Sequence, residues 1–529
     1  MKSFYEHLHS RHEFGEKIDY NKKPILRSSG IFPVVKNRSY SSRILFLGYW
    51  VIKRKIPEVS FLVTLRSNDG IILVRDFFTI DNPKSYTISL DSLLEKTSIS
   101  DKSNFLGSIE VEIFSTQDMV FPYPALVLDY FNNEFNTCVH TLGRVYNDIE
   151  DLNENEAFVV PETGFDIYAK DDLQAFLSFV NGPLPNPNAV IDYTITNSES
   201  KKLAGSFTLD YIKPYQTVFF KFQDHISNLS QFLNGNVGAI TIRHNFVGFF
   251  PRFLVGNIQN SLQSASFTHS YYDCTSCSDP LDYWDRLSEF HYDSSVSIPL
   301  FTDDGFFTEL ILYPNISPSA FDLDIKLYDK QGGLLLDLPN FMKINSHDSK
   351  LLKINFNELL AKNNIDAKNA ATAHIITNFQ NKKIPTRIKF GLNVGKKGSK
   401  SKLPCNICFN SKLGNPLTDN KPGSFHWCPI FSTGNSVISF ENSSSVKNYS
   451  KNARLMLTFY REKDTNSMEK EVTIPANGEF RFDLVQNHDI LQFLDGNVGW
   501  ITAKADNPHI QGYYFNFHSS GAVAGDHLF

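Results

Sequence analysis

The chain has 529 residues, 41% of them hydrophobic and 20% charged, with 46 Phe and 22 Tyr. That is too long for one core, so several domains are expected, and the aromatic excess favours half-buried pleated surfaces. A net charge of −6 gives no basis for nucleic-acid binding, no apolar run reaches the length of a transmembrane segment, and six cysteines do not make a disulfide framework.

The N-terminus, MKSFYEHLHSRHEFGEKIDY, is polar and has no apolar stretch of a secretory signal. Cytoplasmic residence is the default expectation. Leaderless export, or incorporation into a surface or viral particle, is the alternative.

Four openings then recur: GIFPVVKNRSYSSRILFLGYW (30–50), FVVPETGFDIYAKDDLQAFLSFVNGP (158–183), SIPLFTDDGFFTELILYPNISP (297–318) and WCPIFSTGNSVISFENSS (427–444). Each leads from a short apolar run with a Pro, through a polar turn, into alternating apolar residues. Three of these stretches end in a turn containing Asn181, Asn315 or Asn442. A hairpin pattern follows every opening: period-two alternation across 59–78, 189–209, 321–338 and 453–474, broken by Asn-Asp-Gly in the first and Gly-Gly in the third. A third alternating stretch comes next, as in SYTISLDSLL (85–94) and LLKINFNELL (351–360), with a Leu-rich end suited to one helical turn.

The decapeptides FLNGNVGAIT (232–241) and FLDGNVGWIT (493–502) then mark one place in two modules. Glycine takes positive φ without a Cβ penalty, so Gly-x-x-Gly suits a tight reversal that launches a strand. A phosphate loop would need a helix after the glycines, and AIT or WIT reads as strand.

This pattern predicts an all-β chain of four tandem antiparallel β-sandwich modules, Ig-like or jelly-roll-like, with short helical turns. The expected boundaries are an extension at 1–29 and modules at 30–146, 157–273, 294–411 and 425–529. The modules resemble the immunoglobulin-like sandwiches found in tandem in bacterial surface proteins. That resemblance implies four sandwiches in series, an elongated body presenting its loops.

Candidate chemistry is sparse. Module ends place His140, His269, Asn410 and His518 before a Thr or Ser. A strand-end imidazole can bind metal or move a proton, whereas Asn at one copy points to a cap that finishes the sandwich. Cys405, Cys408, His426 and Cys428 give C-x2-C-x17-H-x-C, a candidate structural zinc site, and Cys274 and Cys277 form a second C-x2-C pair. Tyr49 and Trp50 beside Lys53 and Arg54 are a candidate polysaccharide platform, since a ring stacks on a pyranose face and a cation pairs with acidic groups. Asp526 and His527, beside the C-terminus, are of the type that orients an imidazole, but no G-x-S-x-G nucleophile motif accompanies them.

The reading is a non-catalytic structural or recognition protein, with polysaccharide or other copies of itself as partners. The alternatives are a carbohydrate-active enzyme on a sandwich scaffold, which would need paired carboxylates that no spacing singles out, or a zinc-stapled assembly factor.

Overall fold

The structure is a computed structural model that describes residues 24–120, 125–140, 143, 162–163, 165–170, 172–247, 252–272, 283–284, 289–292, 294–314, 316–317, 319–379, 384–385, 388–413 and 416–529. Cys274, Cys277 and Asn315 lie outside the described residues.

In the first module the alternating segments form β1 (Arg27–Lys36), β2 (Ser41–Leu47), β3 (Val59–Ser67), β4 (Ile72–Ile80), β5 (Ser85–Ser89), β6 (Phe105–Phe114), β7 (Leu126–Phe131) and β8 (Asn136–His140). They build two antiparallel layers, ordered β1-β6-β3-β4 and β5-β2-β7-β8. The same two orders recur three more times along the chain, with short additional strands such as Tyr271–Tyr272 and Lys412–Leu413 extending two of the layers. The fold is therefore a tandem of β-sandwiches, as the alternation predicts. No helix of the described residues is long and apolar enough to cross a membrane.

The strand order refines the expected topology. An immunoglobulin sandwich pairs its third strand with its sixth and its second with its fifth, and both pairings are present here. The first and seventh strands have exchanged layers, however: β1 lies beside β6, and β7 beside β2.

Local chemistry explains the short helices. α1 (Tyr49–Arg54) follows β2, and α2 (Leu90–Glu95) follows β5, where the Ser89 side chain accepts from the Ser92 N–H and caps the helix. Helices follow the counterparts of β5 at Leu229–Leu233, Phe356–Lys362 and His488–Leu494.

Two of these helices account for the repeated decapeptide. Asn234 and Asp495 end their helices at positive φ, followed by Gly235 and Gly496, also at positive φ. The chain then reverses, and Asn236 and Asn497 donate N–H bonds back to the Leu233 and Leu494 carbonyls at 2.9 and 3.1 Å. The second glycine is there for space. A Cβ on Gly238 would lie 2.5 Å from Leu233 Cδ2, and one on Gly499 would lie 2.3 Å from Leu494 Cδ2. Each buried leucine closes the end of its sandwich over a glycine.

The modules do not form a row. The counterparts of β8 are Ser264–His269, Cys405–Asn410 and Val523–His527, and these strands touch in a cycle: first to second, second to third, third to fourth, fourth to first. One backbone bond marks three of the joints. Thr217 N–H donates to Asn68 O at 2.9 Å, Glu479 N–H to Lys330 O at 3.1 Å, and Ser85 N–H to Arg461 O at 3.2 Å. In each case a residue opening a β5-type strand meets the β3–β4-type turn of the preceding module. For Ser85 of the first module, the preceding module is the fourth. A head-to-tail contact that returns to its start makes a closed ring. The hydrophobic cores agree, because those of the first and fourth modules run together through Tyr49, Trp427, Tyr514 and their neighbours. The elongated series is thus corrected to a closed pseudo-fourfold ring.

Candidate functional site

The four β8-type strands bring their ends to the ring axis, and strand register fixes which residues correspond. The last residues of the β5-type strands, with their counterparts, are Ser89, Lys221, Asn355 and Asp483, and these pair with Arg43, Phe176, Glu309 and Val437. Those in turn pair with Asp129, Gly256, Asn393 and Phe515, which pair with Cys138, Phe267, Asn406 and Gly525. Two residues further along each strand, on the same face, stand His140, His269, Cys408 and His527.

This corrects two of the four correspondences drawn from sequence. Asn410 lies two residues beyond the equivalent Cys408. His518 follows the β7-type strand Ile510–Phe517, in the turn before the last strand, where its Nε2 lies 2.8 Å from Asn136 Oδ1. Its place at the axis is taken by His527.

His140 sits at the centre of the group. Its ring meets that of His269 edge to face at 4.7 Å between centroids and that of His527 at 4.4 Å. Its Nδ1 lies 2.6 Å from Asp526 Oδ2, and the same oxygen accepts the His140 backbone N–H at 3.1 Å. Burial pushes the Asp526 carboxyl up, but His140 and His527 pull it further the other way, so it sits below its ordinary value. A carboxylate there makes Nδ1 the protonated nitrogen of His140, which leaves Nε2 with its lone pair. Nε2 is buried and has no hydrogen-bond partner among the described residues. Burial lowers the pKa of His140 to about 4 against the pull of Asp526, so the ring is neutral.

The neighbouring rings are fixed in the same sense. His527 Nδ1 donates to Leu528 O at 2.9 Å, which leaves its Nε2 4.0 Å from Asp526 Oδ1. His269 Nδ1 donates to Ser270 O at 2.9 Å, and its Nε2 accepts from Arg252 Nη2 at 2.9 Å. Burial, then the Arg252 charge, holds the His269 pKa well below its ordinary value. The site is graded from inside to outside: the His140 side chain is 1% exposed, Asp526 6% and His527 27%.

The other sequence candidates are built into the fold. Tyr49 and Trp50 are both buried in the core. Tyr49 stacks on Trp427 of the fourth module at 5.1 Å, and Lys53 Nζ lies 4.7 Å from the Trp427 ring centroid and 4.9 Å from that of Phe425. Arg54 closes the last turn of α1. The expected sugar platform is therefore corrected to a joint between the first and fourth modules.

The C-x2-C-x17-H-x-C pattern does not assemble either. Cys405 and Cys408 lie three apart on one extended strand, which turns them to opposite faces. Cys405 Sγ approaches Gly525 O at 3.6 Å, whereas burial pushes the Cys408 thiol up to about 12. Cys428 is in the core of the fourth module, and His426 Nδ1 lies 3.0 Å from Phe529 O. Among the described residues, the three-residue group whose ligand atoms all lie within 4.8 Å of one another is His140, Asp526 and His527.

No family profile and no curated protein matches the chain. Among solved structures it is similar to one described as a tetra-tandem repeat in the extending region of a large adhesion protein. That match has 8% identity over 95% of this chain and 98% of the other, with a TM-score of 0.10. A likeness that low carries no argument about function.

Proposed function

We propose that the protein is a non-catalytic structural component, a preassembled pseudo-fourfold ring that serves as a rigid platform. The observation behind this reading is the recurring joint. Residues that looked available for chemistry, such as Tyr49 and Lys53, are consumed in holding modules together, which is what a body built for shape requires. The surfaces left outward are the edge strands, β4 and its counterparts, which end one layer of each module. Exposed edges are templates for pairing with another chain unless charge blunts them. On the first three modules they carry apolar side chains: Phe77 is 64% exposed, Tyr211 56% and Leu334 53%. The fourth-module edge, Ser467–Ile474, carries Glu469, Lys470 and Glu471 instead. Another copy of the chain is the partner this arrangement fits.

Small-angle scattering and light scattering test both parts of the reading. A compact chain of this length has a radius of gyration of about 24 Å, so a monomer close to that value supports the ring, and a much larger one removes it. Association that grows with concentration and is lost in Phe77→Glu supports edge pairing. A monomer at all concentrations removes the self-assembly part.

A further inference from the structure

The axial group offers more than packing. We infer that His140, Asp526 and His527 form a binding site for a divalent transition-metal ion of the zinc class, which clasps the first module to the last. Two imidazoles and one carboxylate suit zinc and its neighbours rather than calcium or magnesium, which favour all-oxygen shells.

Geometry carries the inference. Asp526 Oδ1 and His527 Nε2 are 4.0 Å apart. Two tetrahedral ligands of one zinc ion stand about 3.4 Å apart, so a movement of well under 1 Å brings them into range. His527 is the partly exposed member and can make that movement without disturbing the core. The third ligand is His140 through Nδ1, which lies 2.6 Å from Asp526 Oδ2, and the ligand atoms of the three residues all lie within 4.8 Å of one another. Binding replaces the hydrogen bond between Asp526 and His140 with a bond from each to the ion, and the Nδ1 proton moves to Nε2. His269 is excluded from the set because Arg252 holds its Nε2.

The location gives the ion its role. His140 ends the last strand of the first module, and Asp526 and His527 end the last strand of the fourth. An ion bridging them locks the one joint that no linker spans.

A second pair of imidazoles provides the control. His291 Nε2 and His509 Nε2 lie 3.3 and 2.6 Å from opposite oxygens of Asp419, so zinc binding there must be separated from binding at the axis. The test is calorimetric titration of the intact chain, after chelator treatment, with Zn2+ and with Ca2+, on wild type, His527→Ala, His527→Gln and Asp419→Asn. One Zn2+ per chain is expected, with affinity falling more than about tenfold in both His527 variants, unchanged in Asp419→Asn, and no Ca2+ uptake. Saturating Zn2+ should raise the unfolding temperature of wild type but not of His527→Gln. Wild type that takes up no Zn2+, or His527 variants that bind it as tightly as wild type, would overturn the clasp. So would loss of binding in Asp419→Asn alone.

Discussion

Asp526, near the end of the chain, accepts a 2.6 Å hydrogen bond from Nδ1 of His140 in the first module, 386 positions earlier. The pair ties the final strand of the chain to that of the first module at the ring axis. A sequence element that looks like a free tail is thereby an axial strand, with Phe529 beyond it stacked on Trp427 at 5.6 Å between centroids. Removing Asp526 leaves the buried Nδ1–H and backbone N–H of His140 without their acceptor, which costs about 1–3 kcal/mol for each donor. Asp526→Ala should therefore lower urea stability by that order. Asp526→Asn should cost less, because an amide oxygen still accepts from Nδ1. Equal losses in the two variants would show that the charge, not the hydrogen bond, holds the joint.

Acid should open the molecule before most carboxylates are protonated. Burial holds His140, His244, His374 and His518 at about 4, and His269 lower still. Their unfolded value is near 6.5, so below that pH the unfolded chain binds protons that the folded chain refuses. The stability these rings contribute is complete above pH 6.5 and is lost progressively toward pH 4, at up to about 3 kcal/mol for each fully buried ring. Urea midpoints measured from pH 7.5 to 4.5 should fall steeply. His244→Gln, which removes one titrating ring, should flatten the curve.

Glu441 gives the opposite slope. Its side chain lies at the joint between the third and fourth modules, within 3.2 Å of the Ser439 hydroxyl, and burial raises its pKa to about 8. Glu479 nearby also raises it, although Arg481 binds Glu479 through both carboxylate oxygens, at 2.8 and 2.9 Å. The folded chain retains this proton where the unfolded chain has released it. Stability from the neutral form is thus complete below about pH 4.5 and is lost as pH rises toward 8. Glu441→Gln should raise the unfolding midpoint at pH 8 and leave it nearly unchanged at pH 4.5. A loss of stability at pH 8 would show that the ionised form is the one the joint accommodates.

The difference between what was legible and what was not follows the range of the interactions. Hairpins announce themselves by local turn chemistry, as at Asn68-Asp69-Gly70, where Gly70 takes a φ of +83°. The Leu-rich helical turns are equally local. Ring closure has no local signature, because Ser85 must find Arg461 across almost the whole chain. Tyr49 and Trp50 beside cations read the same whether they face a sugar or a neighbouring module. His518 reads as a strand end in the sequence because a turn residue followed by Ser resembles a strand end followed by Thr, and only pairing register separates them. Asp526 and His527 were visible as an acid–imidazole pair, but the imidazole that Asp526 bonds is His140.

Trp50→Ala distinguishes the buried from the exposed reading of the first module. Trp50 packs edge-on against Phe61 at 5.5 Å and beside Tyr49 at 4.1 Å. Truncating a buried Trp costs about 3–5 kcal/mol. Chemical denaturation should report a loss of that order. A variant as stable as wild type would return this residue to the surface.

Gly70 and Gly332 test the ring directly. Each occupies the β3–β4-type turn of its module at positive φ, +83° and +80°. A Cβ on Gly70 would lie 2.2 Å from the Pro214 carbonyl oxygen, and one on Gly332 would lie 2.0 Å from that of Ala476. Both contacts are with the backbone of the next module, so neither can be relieved by turning a side chain. The two alanine variants therefore combine left-handed backbone strain, more than about 1 kcal/mol, with a clash that forces a joint apart. Gly398 is the matched control, since it has a φ of +70° with nothing within 4 Å of its Cβ direction. Gly398→Ala should lose only the backbone share in thermal melts and leave the radius of gyration unchanged. Gly70→Ala and Gly332→Ala should lose more and scatter as larger particles. If all three behave alike, the turns do not hold the modules together, and ring closure must rest on the axial strands alone.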